Sequence, residues 1–161
     1  MGDIVIRSAT SDDLPAVRAL LVETWHDTYD RLIGAEKVTD ITNSWHSVEN
    51  LSRQLSVPDC SFLVAQHLSA IVGHAFADAQ RPPVLFVTRL YVLPARQRGG
   101  IGRRLLDAAI ARHPDAAVLR LEMKAENEKA HAFYRREGFQ PVGEKVVEGL
   151  NHFEMEKRLT S

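Results

Sequence analysis

Apolar residues recur along the first third of the chain at spacings that predict helices after a short strand. The stripe that indicates the first helix consists of Leu14, Val17, Leu21 and Trp25. Thr10 or Ser11 is placed to cap this helix, because a hydroxyl there accepts a hydrogen bond from an otherwise unpaired amide. A strand is predicted over residues 4–7 and one or two helices over 36–55, where Trp45 is the bulky residue expected to be buried.

The rest of the chain alternates between apolar runs of strand length and two further helical segments. The predicted strands are 62–66, 70–78, 84–93 and 118–124, followed by two that begin near 139 and 152. The first two of these form a hairpin, and Pro94 ends the long central strand. One helix is predicted from Ile101 to Arg112, and another is opened by Asn127 and closed by Gly138. This order of elements predicts an α/β protein with a mixed sheet that carries helices.

Length, composition and charge fit a single globular domain over residues 1–161. Of the 161 residues, 45% are hydrophobic and 25% are charged, and the formal net charge is −1 at pH 7. This near-neutral balance argues against bulk nucleic acid as a partner. No apolar stretch approaches the about 18 residues that indicate a membrane span, and the histidines lack metal-binding spacing. Cys60 is the only cysteine, so no internal disulfide is expected, and we predict a cytoplasmic protein without a metal.

The segment between the central strand and the next helix is rich in glycine and arginine. Glycines allow the backbone to turn tightly, and the free amides at a helix start bind anions. Arg96, Arg98, Arg103 and Arg104 add four cations within nine residues of a chain that is otherwise nearly neutral. The combination indicates a phosphate-binding turn, although a glycine turn with solvated arginines is the simpler alternative.

Two well-known nucleotide-binding motifs match this turn only in part. A P-loop requires Gly-Lys-Ser/Thr, whereas Arg103 and Arg104 follow Gly102 here. A dinucleotide fingerprint requires a third glycine where Leu105 stands. Glu122 lies about far enough along the chain to bind a ribose, so the dinucleotide interpretation stays open from the residues alone.

The pattern Gln97-x-x-Gly100-x-Gly102, preceded by residues 90–94, resembles the pyrophosphate signature of the GNAT superfamily of acyl-CoA-dependent N-acyltransferases. A second match follows in Leu121-Glu122-Met123-Lys124-Ala125-Glu126-Asn127, then Ala130, Phe133-Tyr134 and Glu137-Gly138-Phe139. The resemblance implies a GNAT-like fold: a mixed, mostly antiparallel, seven-stranded sheet flanked by helices, with a splayed central strand pair. It also implies acetyl-CoA as the cofactor and an N-acetyltransferase activity.

The resemblance assigns cofactor contacts by position. The backbone of Leu90, Tyr91 and Val92 would pair with the pantetheine arm, with the Val92 N–H facing the thioester carbonyl. The turn that would hold the pyrophosphate comprises Gln97, Arg98, Gly99, Gly100, Ile101, Gly102 and Arg103. Asn127 matches an asparagine that meets the cofactor arm, although a plain helix cap is the alternative role.

Two side chains are candidates for proton transfer. Tyr134 falls where the family places a tyrosine near the cofactor sulfur, so its hydroxyl is a candidate acid, with simple core packing as the alternative. Reaching the neutral form of a lysine-like amine at pH 7 costs roughly 4–5 kcal/mol, so a base is needed. Glu122 is the candidate base, and a salt-bridged carboxylate is the alternative. His74, Asp78 and His152 are reserves.

The acceptor is predicted to be a small-molecule amine or a protein N-terminus. Trp25 and Tyr29, at the end of the predicted first helix, are candidates for its binding site. Many relatives carry an acid where Arg89 stands, so Arg89 would instead bind an acidic group of the acceptor or pair with Glu122. A non-catalytic acyl-CoA-binding module is the competing function, and a homodimer, common in this superfamily, is considered as the assembly.

Overall fold

The computed structural model describes residues 3–147 and 149–159. In this part of the chain, seven strands and five α-helices follow one another, with 3₁₀ turns at Ser11–Asp13 and Pro94–Arg96. Their bounds are β1 (Ile4–Ser8), α1 (Leu14–Ile33), α2 (Ala35–Trp45), α3 (Val48–Leu55), β2 (Cys60–His67), β3 (Ala70–Arg81), β4 (Val84–Val92), α4 (Ile101–Arg112), β5 (Val118–Lys124), α5 (Glu128–Arg136), β6 (Gln140–Val147) and β7 (Leu150–Arg158).

The strands form one sheet in the order β1-β2-β3-β4-β5-β7-β6. Among the described residues, β4 and β5 form the one parallel pair, and every other neighbouring pair is antiparallel. The predicted fold class, a mixed but mostly antiparallel seven-stranded sheet flanked by helices, is therefore confirmed. A parallel pair needs a long crossover, which α4 provides between β4 and β5.

Helices cover both faces of the sheet because side chains alternate along each strand. On one face, Leu14, Val17 and Leu21 of α1 pack with Phe62 and Val64 of β2. On the other face lies the larger core, built from β2, β3, β4, β5, α4 and α5. Gly73 permits close contact with α4, since a Cβ there would lie 3.1 Å from side-chain atoms of both Ile101 and Leu105.

The central strands separate partway along their length. Val84–Phe86 of β4 pairs with Val118–Arg120 of β5, and no pairing between them continues beyond that point within the described chain. The register of β3 with β4 shifts between Arg89 and Val87, which leaves Thr88 as an extra residue. Such a bulge bends and twists a strand, and here it coincides with the separation. The predicted splayed pair is therefore present, with an open wedge between the C-terminal halves of β4 and β5.

Most predicted elements agree closely with the structure, and the N-terminal helices differ most. The bounds predicted for α4 and β5 match those observed, and residues 36–55 contain two helices. Trp25 and Tyr29 do not stand at the end of the first helix as expected, since α1 continues to Ile33. Gly34, with φ of 91°, then connects α1 directly to α2.

Candidate active site

Two neighbouring cavities lie on the α1–α3 side of the wedge. The first cavity, about 210 Å³, is lined by Trp25, Tyr29, Trp45, Phe86, Thr88, Tyr91, Glu122, Met123, Lys124, Val147 and His152. The second cavity, about 290 Å³, is lined by Trp25, Trp45, His46, Asn50, Gln54, Thr88, Arg89 and Tyr91. The two share Trp25, Trp45, Thr88 and Tyr91, so they adjoin. Trp25, Tyr29, Arg89 and Glu122, all predicted as site residues, therefore come together.

The glycine turn has the geometry expected of an anion site. Gly100 precedes α4 with φ of 81°, and Arg98 has φ of 71°. A Cβ on Gly100 would find no atom within 4 Å, so the space beside this backbone is open to a ligand. Arg104 N donates to Gly100 O at 3.1 Å, while the preceding amides of α4 come before the first intrahelical bond. The turn therefore fits a pyrophosphate group.

The four arginines of this turn divide into two pairs. Arg96 bonds His67 Nδ1 at 2.8 Å and Arg104 donates to the carbonyl of Ile4 at 2.8 Å, so both fasten the turn to the sheet. Arg98 and Arg103 are exposed beside Gly99 and Gly100. Arg103 Nε lies 3.8 Å from Glu137 Oε1, which is a long distance for an ion pair. Arg98 and Arg103 are thus the two cations available to a bound anion at this position.

The backbone of β4 presents alternate residues to the wedge. Leu93 N donates to Val72 O at 3.0 Å, and Tyr91 pairs with His74, so by the antiparallel alternation these residues bond β3. Leu90 and Val92 therefore face the unpaired side, as predicted for contacts with an extended arm. The backbone of Tyr91 faces β3 instead, which differs from the expectation, and its ring lines both cavities. Gln97 Nε2 donates to Val92 O at 3.1 Å.

Tyr134 is buried on the core face of α5. Its ring centroid lies 5.2 Å from that of Phe133 and 5.3 Å from that of Phe139. Burial, together with the nearby phenols of Tyr91 and Tyr29, raises the pKa of Tyr134 well above its usual value. The chain's three tyrosines thus gather at one place and all hold their protons at neutral pH.

Asn127 joins the two sides of the wedge. Its Oδ1 accepts a hydrogen bond from Ala130 N at 3.1 Å, which caps α5 as predicted. Its Nδ2 donates to the Tyr29 hydroxyl at 3.3 Å. The cap and a contact with α1 are both present, while its contact with the cofactor stays a prediction.

Glu122 reaches the first cavity from β5. Leu121 and Met123 on either side of it belong to the core, so alternation directs Glu122 away from the core. Its side chain is 30% exposed and forms an ion pair with Lys145 Nζ on β6. This pairing raises the pKa of Lys145. The predicted alternative pairing of Glu122 with Arg89 is wrong, because both groups have other partners.

Arg89 is a buried cation, with only 6% of its surface exposed. Its Nε donates to His74 Nε2 at 3.0 Å, and its guanidinium lies over the rings of Phe62 and Phe76 at 5.5 and 5.0 Å. Burial lowers the pKa of Arg89 to about 10, still far above neutrality. It therefore carries its charge into the second cavity.

The three reserve bases are placed very differently. His74 is fully buried, its Nδ1 bonds Leu63 O at 2.9 Å, and burial lowers its pKa well below the usual value. Asp78 pairs with Cys60 at the other end of β3 and lines neither cavity. His152 lines the first cavity with Nε2 3.0 Å from Lys124 Nζ, and burial lowers its pKa. His152 is thus the one reserve base within the site.

The lining residue Lys124, the partner of Glu122, Lys145, and the α2–α3 residues of the second cavity were missed from the sequence. Lys124 Nζ lies 5.2 Å from the Trp25 ring centroid and 5.4 Å from that of Tyr29. The strand alternation that selected Glu122 places Lys124 on the same face, so that signal was available. Lys145 approaches from β6 through a tertiary contact that no local pattern predicts.

Neither a metal site nor a membrane-spanning helix is found in the described part of the chain. Within residues 3–147 and 149–159, no three His, Cys, Asp or Glu side chains cluster so as to hold a metal ion. In the same ranges, no helix has both the length and the apolar character needed to cross a bilayer.

Comparison with known proteins agrees with this geometry. The model of the acetyltransferase (GNAT) domain matches residues 30–159. Rv2775 of Mycobacterium tuberculosis, named a probable N-acetyltransferase, is 28% identical over 93% of this chain and 90% of its own. The N-alpha-acetyltransferase RimI of the same organism is 36% identical over 57% of this chain and 60% of its own.

Among solved structures, the PaiA N-acetyltransferase of Thermoplasma acidophilum in complex with coenzyme A is similar, with a TM-score of 0.87 and 25% identity. The match covers 98% of this chain and 99% of that one. The family match spans most of the chain, and the turn and wedge described above fit the cofactor. The chain belongs to the GNAT family and is an acetyltransferase whose acetyl donor is acetyl-CoA.

Proposed function

We propose that the chain acetylates a primary amine that binds in the first cavity and attacks the acetyl group directly. The observation that carries this proposal is the position of Glu122, a carboxylate at the open edge of β5 that lines this cavity. The acceptor is a small-molecule amine or a protein N-terminus, and the name of the similar RimI, an N-alpha-acetyltransferase, is compatible with the latter. The family match begins at residue 30, yet Trp25 and Tyr29, which precede it, line the cavity. The N-terminal segment therefore contributes to the same site, which favours one domain over residues 1–161.

The residues that would hold acetyl-CoA lie on the other side of the wedge. The amides from Arg98 to Arg103, with the Arg98 and Arg103 side chains, would bind the pyrophosphate. The backbone of Leu90 and the N–H of Val92, on the side of β4 that no strand pairs, would bind the extended arm as an added strand does. When bound, acetyl-CoA supplies an acetyl group activated as a thioester.

Glu122 is proposed to take the proton of the attacking amine, directly or through water. A protonated amine has no lone pair with which to attack, and its neutral form costs roughly 4–5 kcal/mol at pH 7. Lys145 already pairs with Glu122. The acceptor ammonium would therefore compete with Lys145 for this carboxylate.

Tyr134 is proposed to supply the proton that the leaving sulfur needs. A phenol already holds its proton at neutral pH, and burial raises the pKa of Tyr134 further. Its position in α5 follows the Asn127 cap, which fixes the first turn of that helix. Tyr134 therefore acts as a general acid in this proposal, with Asn127 setting the helix that carries it.

A pH–rate profile of Glu122→Gln tests the proposal, with acetyl transfer followed through release of the free thiol of CoA. Transfer should fall steeply at neutral pH and recover toward the pKa of the amine, because the acceptor then arrives neutral. Glu144→Gln, a change of an exposed glutamate on β6, is the matched control and should follow the wild type. Parallel profiles for Glu122→Gln and wild type would remove Glu122 as the base and point to His152. Binding of CoA without transfer to any amine of a broad panel would favour the non-catalytic module.

A further inference from the structure

The second cavity contains buried polar atoms that have no hydrogen-bond partner. Within the described residues, four of the residues that line the cavity carry such an atom: Trp25 Nε1, His46 Nδ1, Gln54 Oε1 and Arg89 Nη2. Buried polar atoms are almost always paired in folded proteins, since each unpaired one costs free energy. Four such residues around one cavity of about 290 Å³ indicate that a polar ligand completes the site.

The charge of Arg89 has no counter-ion in the described chain. Its contacts are a neutral imidazole, His74, and the faces of Phe62 and Phe76. No carboxylate among the described residues forms an ion pair with it. An unpaired buried cation is destabilising, and a single bound negative charge would neutralise it.

The surroundings hold Arg89 in place for such a ligand. His74 accepts from Arg89 Nε through Nε2, and its Nδ1 in turn bonds the carbonyl of Leu63 at 2.9 Å. These two successive hydrogen bonds fix the plane of the Arg89 guanidinium and leave Nη2 for another partner. His74 is therefore a positioning residue, which acts through Arg89 rather than on a substrate.

We infer that Arg89 binds a carboxylate of the acceptor, so that the substrate is a small amino acid-like molecule with both an amine and a carboxylate. The inference rests on the proposed function, because it places the amine at Glu122 in the first cavity and the carboxylate in the adjoining second cavity. The shared walls, Trp25, Trp45 and Tyr91, are aromatic and suit an apolar segment between the two charged ends.

The chemistry of the cavity favours a carboxylate over a phosphate. Arginine matches a carboxylate with two parallel hydrogen bonds. Arg89 is the only cation among the described lining residues, since burial lowers the pKa of His46 to about 3 and keeps its ring neutral. One cation balances a single negative charge but leaves excess charge on a buried phosphate dianion. A carboxylate only accepts hydrogen bonds, so the further donors to it are the side-chain NH2 of Gln54 and the Nδ1–H tautomer of His46, not Gln54 Oε1.

Paired acceptors test the inference through selectivity. For wild type, kcat/KM should be at least about 30-fold higher for leucine than for leucinamide, since a buried charge would otherwise stay unpaired. Arg89→Gln should bring this ratio near one, and Arg89→Lys should give an intermediate value. Arg120→Gln, which changes an arginine on the exterior that pairs with Glu156, is the control and should keep the wild-type ratio.

Direct binding separates this site from catalysis. 3-Methylbutanoate, which has the carboxylate but no amine, should raise the Tm of wild type and of Glu122→Gln, and leave that of Arg89→Gln unchanged. Inorganic phosphate should give no such rise. A rise with 3-methylbutanoate but no transfer to any amine would support the Arg89 site and contradict the proposed transfer.

Equal wild-type rates on leucine and leucinamide, with no rise in Tm from 3-methylbutanoate, would overturn the inference while acetyl transfer itself stands. A peptide amine preferred over both would likewise overturn it in favour of a protein N-terminus. Because these measurements use wild type, they decide the question even where Arg89→Gln fails to fold.

Discussion

The side-chain amide of Asn127 donates a hydrogen bond to the hydroxyl of Tyr29 at 3.3 Å, across 98 positions of sequence. Tyr29 belongs to α1, which lines the first cavity, whereas Asn127 caps α5, which carries Tyr134. The contact therefore connects the proposed amine site with the proposed acid through one hydrogen bond. A single asparagine therefore caps one helix and holds another by hydrogen bonds of the same side-chain amide.

A double-mutant cycle measures this contact. Asn127→Ala should lower the free energy of unfolding by about 1–2 kcal/mol, because it removes both the cap and the bond to Tyr29. Tyr29→Phe should cost no more than about 1 kcal/mol. The double variant should be more stable than the sum of the two losses predicts, by about 0.5–1 kcal/mol. Denaturant unfolding provides all values, and strict additivity would show that the bond contributes nothing.

Replacement of Gly100 should separate cofactor binding from backbone strain. Gly100→Val places a branched side chain in the open space beside the turn, at a φ of 81° that disfavours it. CoA should raise the Tm of wild type but not of this variant. Gly34→Val is the matched control, because Gly34 has a φ of 91° and equally open space but lies between α1 and α2. A CoA-dependent shift that survives in Gly100→Val would place the pyrophosphate elsewhere.

Tyr134→Phe should lower turnover by roughly 100-fold, while the affinity for CoA and the Tm change little. The variant keeps the ring contacts with Phe133 and Phe139 and removes the hydroxyl alone. Because burial raises the pKa of Tyr134, wild type should not lose activity near about pH 10 through its ionisation, although a free tyrosine is half ionised there. Steady-state kinetics against pH measure both effects. Unchanged turnover in the variant would return Tyr134 to a purely packing role.

The sequence predicted the sheet and α4 well because their signals are local. A long apolar run marks β4, the alternation of Leu119, Leu121 and Met123 marks β5, and Gly100 precedes α4. The environment of Arg89 could not be predicted, because it depends on the register that places β3 against β4 around the extra residue Thr88. The same holds for Lys145, whose contact with Glu122 bridges β6 and β5 over the intervening β7. Site residues on one strand were therefore predictable, and their partners from other strands were not.

The ion pair of Arg7 with Asp13 should make stability depend on pH in acid. Arg7 donates to Asp13 at 2.8 Å, and this lowers the pKa of Asp13 from 3.8 to about 2. A lowered pKa means that the stabilisation is complete above about pH 4 and is lost as the pH falls toward 2. Asp13→Asn should therefore show a flatter Tm profile than wild type between those values. Asp12→Asn, which changes the exposed neighbouring acid, is the control and should keep the wild-type profile. If its Tm profile is as flat as that of Asp13→Asn, the acid sensitivity does not come from the ion pair of Arg7 with Asp13.

The early end of pairing between β4 and β5 has a consequence for hydrogen exchange. In the described chain three residue pairs, Val84–Phe86 with Val118–Arg120, join a four-stranded half-sheet to a three-stranded one. The larger core contains residues of both half-sheets and holds them together on one face, so the backbone gap is confined to the wedge beyond Phe86 and Arg120. Amide hydrogens of Leu90 and Val92, which face the wedge, should exchange quickly with solvent in the free protein and slowly with CoA bound. In the proposed complex, the arm of the cofactor would take the place of the missing strand pairing along this edge of β4.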